Sequence, residues 1–201
     1  MKKILAMLLA LVMVLSLAAC ASTQPAAEPA ASSDAPAESG KTYTVGVCQL
    51  VQHEALDAAT QGFVDALKEE LGDAVTVDVQ NASGDSVNCG TIVNGFVSKG
   101  VDLIMANATP ALTAAVSATA DIPILGTSIT AYGVALDIDD FSGTVGGNVS
   151  GTSDLADLQK QAQMILDWFP ETKTVGLLFC SAEPNSRYQI DEVRKALEAQ
   201  G

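Results

Sequence analysis

VDLIMANATPALTAAVSATA, residues 101–120, decides the fold. Residues 101–105 are a short apolar run after Gly100 and predict a buried strand. Asn107-Ala108-Thr109 turns the chain, with Thr109 at the N-cap position and Pro110 at the first position of an Ala-rich helix. A strand running straight into a helix is half of a βαβ unit. The unpaired N–H groups of such a helix project beyond the carboxyl end of the strand, where open α/β sheets bind ligands. An anion can be held there without any basic side chain. Taken alone, the stretch is explained by Thr109 capping a helix. Its recurrence along the chain changes the reading.

Moving outward, residues 43–49 and 75–79 are β-rich runs. Residues 55–71 carry Leu56, Ala59, Phe63, Leu67 and Leu71 at helical spacing before Gly72, and residues 86–99 form a second helix stopped by Gly100. Residues 121–125 lead into a fourth strand, with residues 126–131 as its loop; the Gly- and Asp-rich residues 134–149 have room for a short fifth. A helix over 154–169 ends at Pro170, an apolar strand follows over 173–180, then a loop over 181–185 and a helix over 186–200. Strand and helix alternate, so the fold class is α/β with a parallel sheet covered on both faces. Residues 41–71 and 173–200 share one plan of strand, polar loop and amphipathic helix. Two similar lobes are suggested, and Gly201 as a helix C-cap predicts a further strand beyond it.

The 201 residues carry a formal charge of −14. Residues 1–19 hold Lys2 and Lys3 and then an apolar run broken only by Ser16, a secretory signal shorter than the ~20 apolar residues of a membrane span. Its removal, with both lysines and no acid, takes the charge from −14 to −16. So acidic a chain lacks the basic patches that nucleic acid requires. Residues 21–40 contain no large apolar side chain and cannot bury enough surface to order themselves. As a coil they span roughly 25 Å, enough to hold a domain clear of a membrane. Beyond Cys20, three cysteines remain. Cys48 and Cys180 close apolar runs and are expected to be small buried hydrophobes, and Cys89 falls in a helix. No metal-ligand spacing occurs and no cofactor is implied.

Chemistry-bearing motifs are few. His53 is the single histidine, and there is no second His for a zinc-hydrolase motif, no nucleophile elbow and no phosphate-binding glycine loop. The acids Asp137, Asp139 and Asp140 lack the spaced glutamate of a calcium loop and are expected to be a solvated turn. What remains is a set of polar loops at strand ends: residues 49–54, 83–86, 106–110, 126–130, 152–154 and 181–186. All strand C-termini of a parallel sheet share one edge, so these loops converge into a polar pocket. Ser83, Asp85 and Ser186 suit turn or capping chemistry. Thr109, Ser128 and Asp154 suit ligand contact. His53 suits either.

Several stretches in order resemble a known family: Gln49-Leu50-Val51-Gln52-His53-Glu54-Ala55-Leu56-Asp57, Gln80-Asn81-Ala82-Ser83-Gly84-Asp85, Ala108-Thr109-Pro110, Gly147-Asn148-Val149-Ser150-Gly151-Thr152-Ser153-Asp154 and Thr174-Val175-Gly176-Leu177-Leu178 running on into Glu183-Pro184-Asn185-Ser186. They resemble the lipoprotein substrate-binding components of ABC transporters, in the branch with tryptophan- and tyrosine-binding members. Leu17-Ala18-Ala19-Cys20 resembles a bacterial lipobox, which implies cleavage before Cys20, a diacylglycerol on its sulfur, and an extracytoplasmic protein lipid-anchored to the bacterial cell membrane. The resemblance implies a type I periplasmic-binding fold whose two Rossmann-like lobes, about 41–151 and one beginning at 152, close on a small solute and deliver it to an ABC permease, without catalysis. An amino acid is the expected solute, an aromatic one among the candidates. The expected ligand residues are Gln49, His53, Asp85, Thr109, Pro110, Ser128, Ser153, Asp154, Asn185 and Ser186. Thr109, the amides after Pro110 and Ser128 would take a carboxylate, Asp154 an ammonium group, Gln49 and His53 the side-chain end, and Asn185 with Ser186 would close from the second lobe. Where family members tend to carry Asp-Pro, this chain has Ala131-Tyr132, and Tyr132 either stacks on the ligand or belongs to the core. The alternatives are a sensor of the same fold feeding a signalling protein, and an enzyme on a flavodoxin-like sheet.

Overall fold

Strands β1 (Tyr43–Gln49), β2 (Val75–Asn81), β3 (Leu103–Asn107), β4 (Ile124–Ile129) and β5 (Val149–Ser153) build one sheet in the order β2-β1-β3-β4-β5, with every neighbouring pair parallel. The computed structural model describes residues 40–200. The signal segment, Cys20 and the linker as far as residue 39 lie outside the described residues. Helix α1 (Glu54–Leu71) follows β1, α2 (Ser86–Lys99) follows β2, α3 (Thr109–Ala118) follows β3, and the short α4 (Tyr132–Ala135) follows β4. Helices α5 (Leu158–Trp168) and α6 (Pro184–Glu198) come after β5 and pack on each other around Leu158, Ala162 and Val193.

Central position buries the middle of β1: Val45, Val47 and Cys48 are enclosed, flanked in register by β2 and β3. Phe96 of α2 lies so close over β1 that a Cβ at Gly46 would run into its ring, so glycine is required there for the helix to seat. Phe96, Ile104, Leu112 and Ile124 are fully enclosed and join α2, β3, α3 and β4 into one core. Buried on this scale, each such side chain contributes about 1.5–3 kcal/mol.

Several expectations are corrected. The third strand starts at Leu103, not Val101, because Asp102 folds back on β1: its carboxylate accepts from Thr44 N at 2.7 Å and its own N–H donates to Thr44 O at 2.8 Å. Gly126, Thr127 and Ser128 belong to β4 rather than to a loop, since both neighbouring strands pair with it. The helix expected from Asp154 begins at Leu158, with Asp157 as its cap accepting from Lys160 N. Residues 173–180 form no strand, because among the described residues no other strand lies beside them to complete a ladder. Cys180, on that unpaired stretch, is exposed. Cys48 and Cys89 are buried, and the hydrogen bond to Cys89 together with burial holds the Cys48 thiol far above its ordinary range. No helix among the described residues is long and apolar enough to cross a membrane.

Candidate functional site

Parallel pairing brings the C-terminal ends of all five strands, at Gln49, Asn81, Asn107, Ile129 and Ser153, to one edge of the sheet. Three non-glycine residues with positive φ stand along that edge. Ser83 follows β2 at φ 56°, Ala108 follows β3 at φ 90°, and Ser128 sits at φ 56° in the irregular end of β4. Conformations of this kind cost about 1–3 kcal/mol each and concentrate where a fold holds ligands.

The junction of β3 and α3 is built differently from a Thr-capped helix. The cap is Ala108, with φ 90° and ψ 156°, which offers no side-chain acceptor, and Thr109 is the first helical residue. Its expected capping role is therefore corrected. Pro110 brings no N–H, and the amides of Thr109 and Ala111 have no intrahelical acceptor. Thr109 is 2% exposed, yet its Oγ1 has no hydrogen-bond partner, and neither has the Oδ1 of fully buried Asn107 two residues before it. An unmade hydrogen bond on a buried polar atom costs about 1–3 kcal/mol. Two such atoms lie beside amides that no side chain caps, so these polar groups are not consumed by the protein itself.

Other expected ligand residues are spent internally. Gln49 is buried; its Nε2 donates to Val51 O (2.9 Å) and Asp57 Oδ1 (2.5 Å), while its Oε1 accepts from Thr60 Oγ1 (2.6 Å). Thr60 Oγ1 in turn accepts from Asn107 Nδ2 (2.9 Å), which also donates to Leu56 O (2.8 Å). The network ties the ends of β1 and β3 to α1, and Gln49 holds that junction together while also lining an opening with Gln52, Asp57 and Asn81. His53 caps α1, its Nδ1 accepting from Ala55 N at 3.2 Å. Asp85 caps α2 through Val87 N at 2.8 Å. Ser153 Oγ donates to Thr130 O and accepts from Leu155 N, which fastens the end of β5 to the end of β4. Ser186 Oγ accepts from Cys180 N at 2.9 Å.

Three residues remain unspent beside Thr109 and Pro110. Ser128 is half-buried at the end of β4. Asp154 is exposed, its N–H held by Ile129 O at 3.1 Å, and it makes no ion pair among the described residues. Asn185, in the first turn of α6, has a buried Oδ1 without a partner.

Tyr132 resolves as core. It is 6% exposed, and its hydroxyl donates to Gly126 O (3.0 Å) and Thr152 O (3.2 Å), pinning β4 to β5. Both Gly126 and Gly151 leave that hydroxyl no room for a Cβ, and Gly151 has φ +151° as well. Burial first, then the nearby Asp154 charge, raises the Tyr132 phenol above its ordinary range, so it remains a donor.

A family model described as ABC transporter substrate binding protein matches residues 44–201. The chain belongs to this family. The tyrosine-binding protein of Clostridioides difficile (strain R20291) is 36% identical to it over 199 residues, covering 96% of this chain and 56% of that protein. An ABC domain from Streptococcus pneumonia, solved in complex with L-Trp, matches with a TM-score of 0.73 and 36% identity, over 80% of this chain and 55% of that one. A ligand-free, open substrate-binding protein with adhesive properties from Clostridium difficile matches at the same identity and coverage with a TM-score of 0.59. This substrate-binding chain spans about half the length of the curated relatives it matches. Its fold is that of type I periplasmic-binding proteins, and its homologues are solute-binding proteins.

The substrate-binding protein also has site residues that the residue pattern did not disclose. Asn107 and Thr60 organise the edge, yet in sequence Asn107 is one polar residue closing an apolar run and Thr60 one of many small residues in a helix. The available signal was Asn107's place at a strand end, where polar groups that survive burial have a partner or a purpose.

Proposed function

We propose that this protein is the solute receptor of an ABC importer, lipid-anchored outside the cytoplasm through Cys20 and held off the membrane by residues 21–40. Its solute is an amino acid, passed to a membrane permease, and the protein has no catalytic role. The observation that carries this reading is the β3–α3 junction: uncapped amides with the donor-capable Thr109 Oγ1 buried and unpartnered beside them. The free amides and the Thr109 hydroxyl suit a carboxylate, which takes N–H and O–H donors at a helix N-terminus without a counter-cation, while Asn107 Oδ1 only accepts and takes no part in holding it. Ser128 completes the carboxylate end. Asp154 takes the ammonium group. Asn185 approaches from the second lobe, which begins near residue 152 and is completed by the length that the relatives have and this chain does not span. Ligand bridging both lobes favours the closed arrangement by its differential affinity. The names of the tyrosine-binding relative and the L-Trp complex, each at 36% identity, support an aromatic amino acid.

The test is thermal unfolding of the full-length protein against a panel of the common L-amino acids and their carboxyl-amides. Ligand at a hundredfold excess over Kd stabilises by about 2.7 kcal/mol, an easily measured rise in Tm. The expected result is a rise with an aromatic amino acid that is lost with its amide and lost in Thr109→Val. No rise with any amino acid would sink the reading.

A further inference from the structure

Besides Gln49, held in a network, and His53, a helix cap, the same edge of the sheet offers the side-chain end of the ligand a more apolar home. A cavity of about 330 Å³ opens at the carboxyl edge of β4 and β5, bounded by Thr130, Val134, Phe141, Ser153, Leu155 and Tyr188. We infer that this cavity receives the aromatic ring of the solute, with Phe141 and Tyr188 as the residues that select it; the inference rests on the amino-acid reading above.

Three observations carry it. First, Val134, Phe141 and Leu155 are exposed large apolar side chains from three separate segments, and all of them line this one opening. Apolar surface gathered at a concave site, with a few polar groups at its edge, is the usual character of a small-molecule pocket, and the volume lies in the range such pockets occupy. Second, the cavity stands beside proposed ligand residues: Ser153 and Leu155 on its wall flank Asp154, and Thr130 lies two residues beyond Ser128. Thr113, in the first turns of α3, donates from Oγ1 to Ala135 O at the end of α4, so the helix that carries Thr109 is fastened to the helix that walls the cavity. Third, Phe141 is set in place rather than loose. Gly133 has no Cβ, and one added there would collide with the Phe141 Cβ, so the Phe141 side chain lies directly on the α4 backbone. Tyr188 comes from α6, beyond β5, so a ring in this cavity touches both parts of the chain that closure brings together. Two aromatic rings around one slot favour an aromatic guest over an aliphatic one, through offset and edge-to-face contacts.

Titration calorimetry of the full-length protein with L-Trp, L-Tyr and L-Leu decides the matter, comparing wild type with F141A, F141L, F141Y and Y188A. Loss of one aromatic contact is expected to weaken L-Trp and L-Tyr about tenfold in F141A, F141L and Y188A, while F141Y stays near wild type. L-Leu affinity should move much less. Because Phe141 is partly exposed, the unliganded Tm of its variants should remain close to wild type, and F141L guards against a variant that fails to fold; Y188A also loses packing on the α5–α6 cluster and its Tm should fall. Wild-type binding of L-Trp with F141A, F141L and Y188A all within twofold of it would overturn this inference and leave the amino-acid reading standing. A wild type that binds no amino acid would bring down both.

Discussion

Ala108 is the residue at which backbone strain and the proposed site coincide. Its φ of 90° and ψ of 156° lie in a region open almost only to glycine, between the two buried residues whose side-chain oxygens lack partners. Strain of this kind is worth about 1–3 kcal/mol, and glycine's own entropic penalty about 0.5–1 kcal/mol. Ala108→Gly should therefore raise stability by about 1 kcal/mol in urea unfolding while weakening solute binding, because the junction loses its preset geometry. A loss of stability would mean that the conformation stores no strain. Tyr132 gives a second test. Removal of its two hydroxyl contacts in Tyr132→Phe should cost about 1 kcal/mol at neutral pH. Because the folded phenol holds its proton to higher pH than the unfolded one, at about 10, its contribution is complete below pH 10 and declines as pH climbs beyond it. The stability gap between wild type and Tyr132→Phe should accordingly be constant up to about pH 10 and narrow above it.

At the scale of elements, α1 and α2 start on caps of unequal quality. His53 accepts from Ala55 N at 3.2 Å, whereas the Asp85 carboxylate accepts from Val87 N at 2.8 Å. Aspartate is among the best N-caps, and its charge also favours the positive end of the helix. His53→Asp should stabilise the protein by several tenths of a kcal/mol, and Asp85→Ala should destabilise it by about 1 kcal/mol, both with solute affinity unchanged. A large loss of affinity in either would restore that residue to the ligand set. The elements themselves were legible wherever local pattern and tertiary demand agree: α1 and α2 have apolar spacing, caps and glycine stops that all say helix. They were illegible where neighbours decide. Gly126-Thr127-Ser128 has turn composition but is held as strand by β3 and β5, and its glycine answers to the Tyr132 hydroxyl. Thr109 has the composition of a cap and is instead buried beside one. The convergence of polar loops on one edge followed from alternation alone. Which of them are consumed internally, as with Gln49 and Ser153, depends on partners far apart in sequence.

At the scale of the molecule, residues 173–180 carry the largest consequence. Lys173-Thr174-Val175-Gly176-Leu177-Leu178-Phe179-Cys180 has the composition of an interior strand, yet Leu178 is 98% exposed and the stretch has no ladder. Val175, Leu177 and Phe179 are only partly buried and the stretch has no ladder hydrogen bonds, whereas β3 is paired on both sides and its apolar residues are enclosed. Local stability should differ accordingly within one chain. Hydrogen–deuterium exchange of the 201-residue chain should show the amides of 103–107 protected to near the global unfolding limit and those of 174–179 exchanging almost as in a free peptide. In a chain extended to the length of its relatives, the proposed second lobe supplies strands on either side, and the amides of 174–179 should then gain protection of several orders of magnitude. Equal, fast exchange in both chains would mean that this segment is a linker, and that the two-lobed reading of residues 152 onward is wrong.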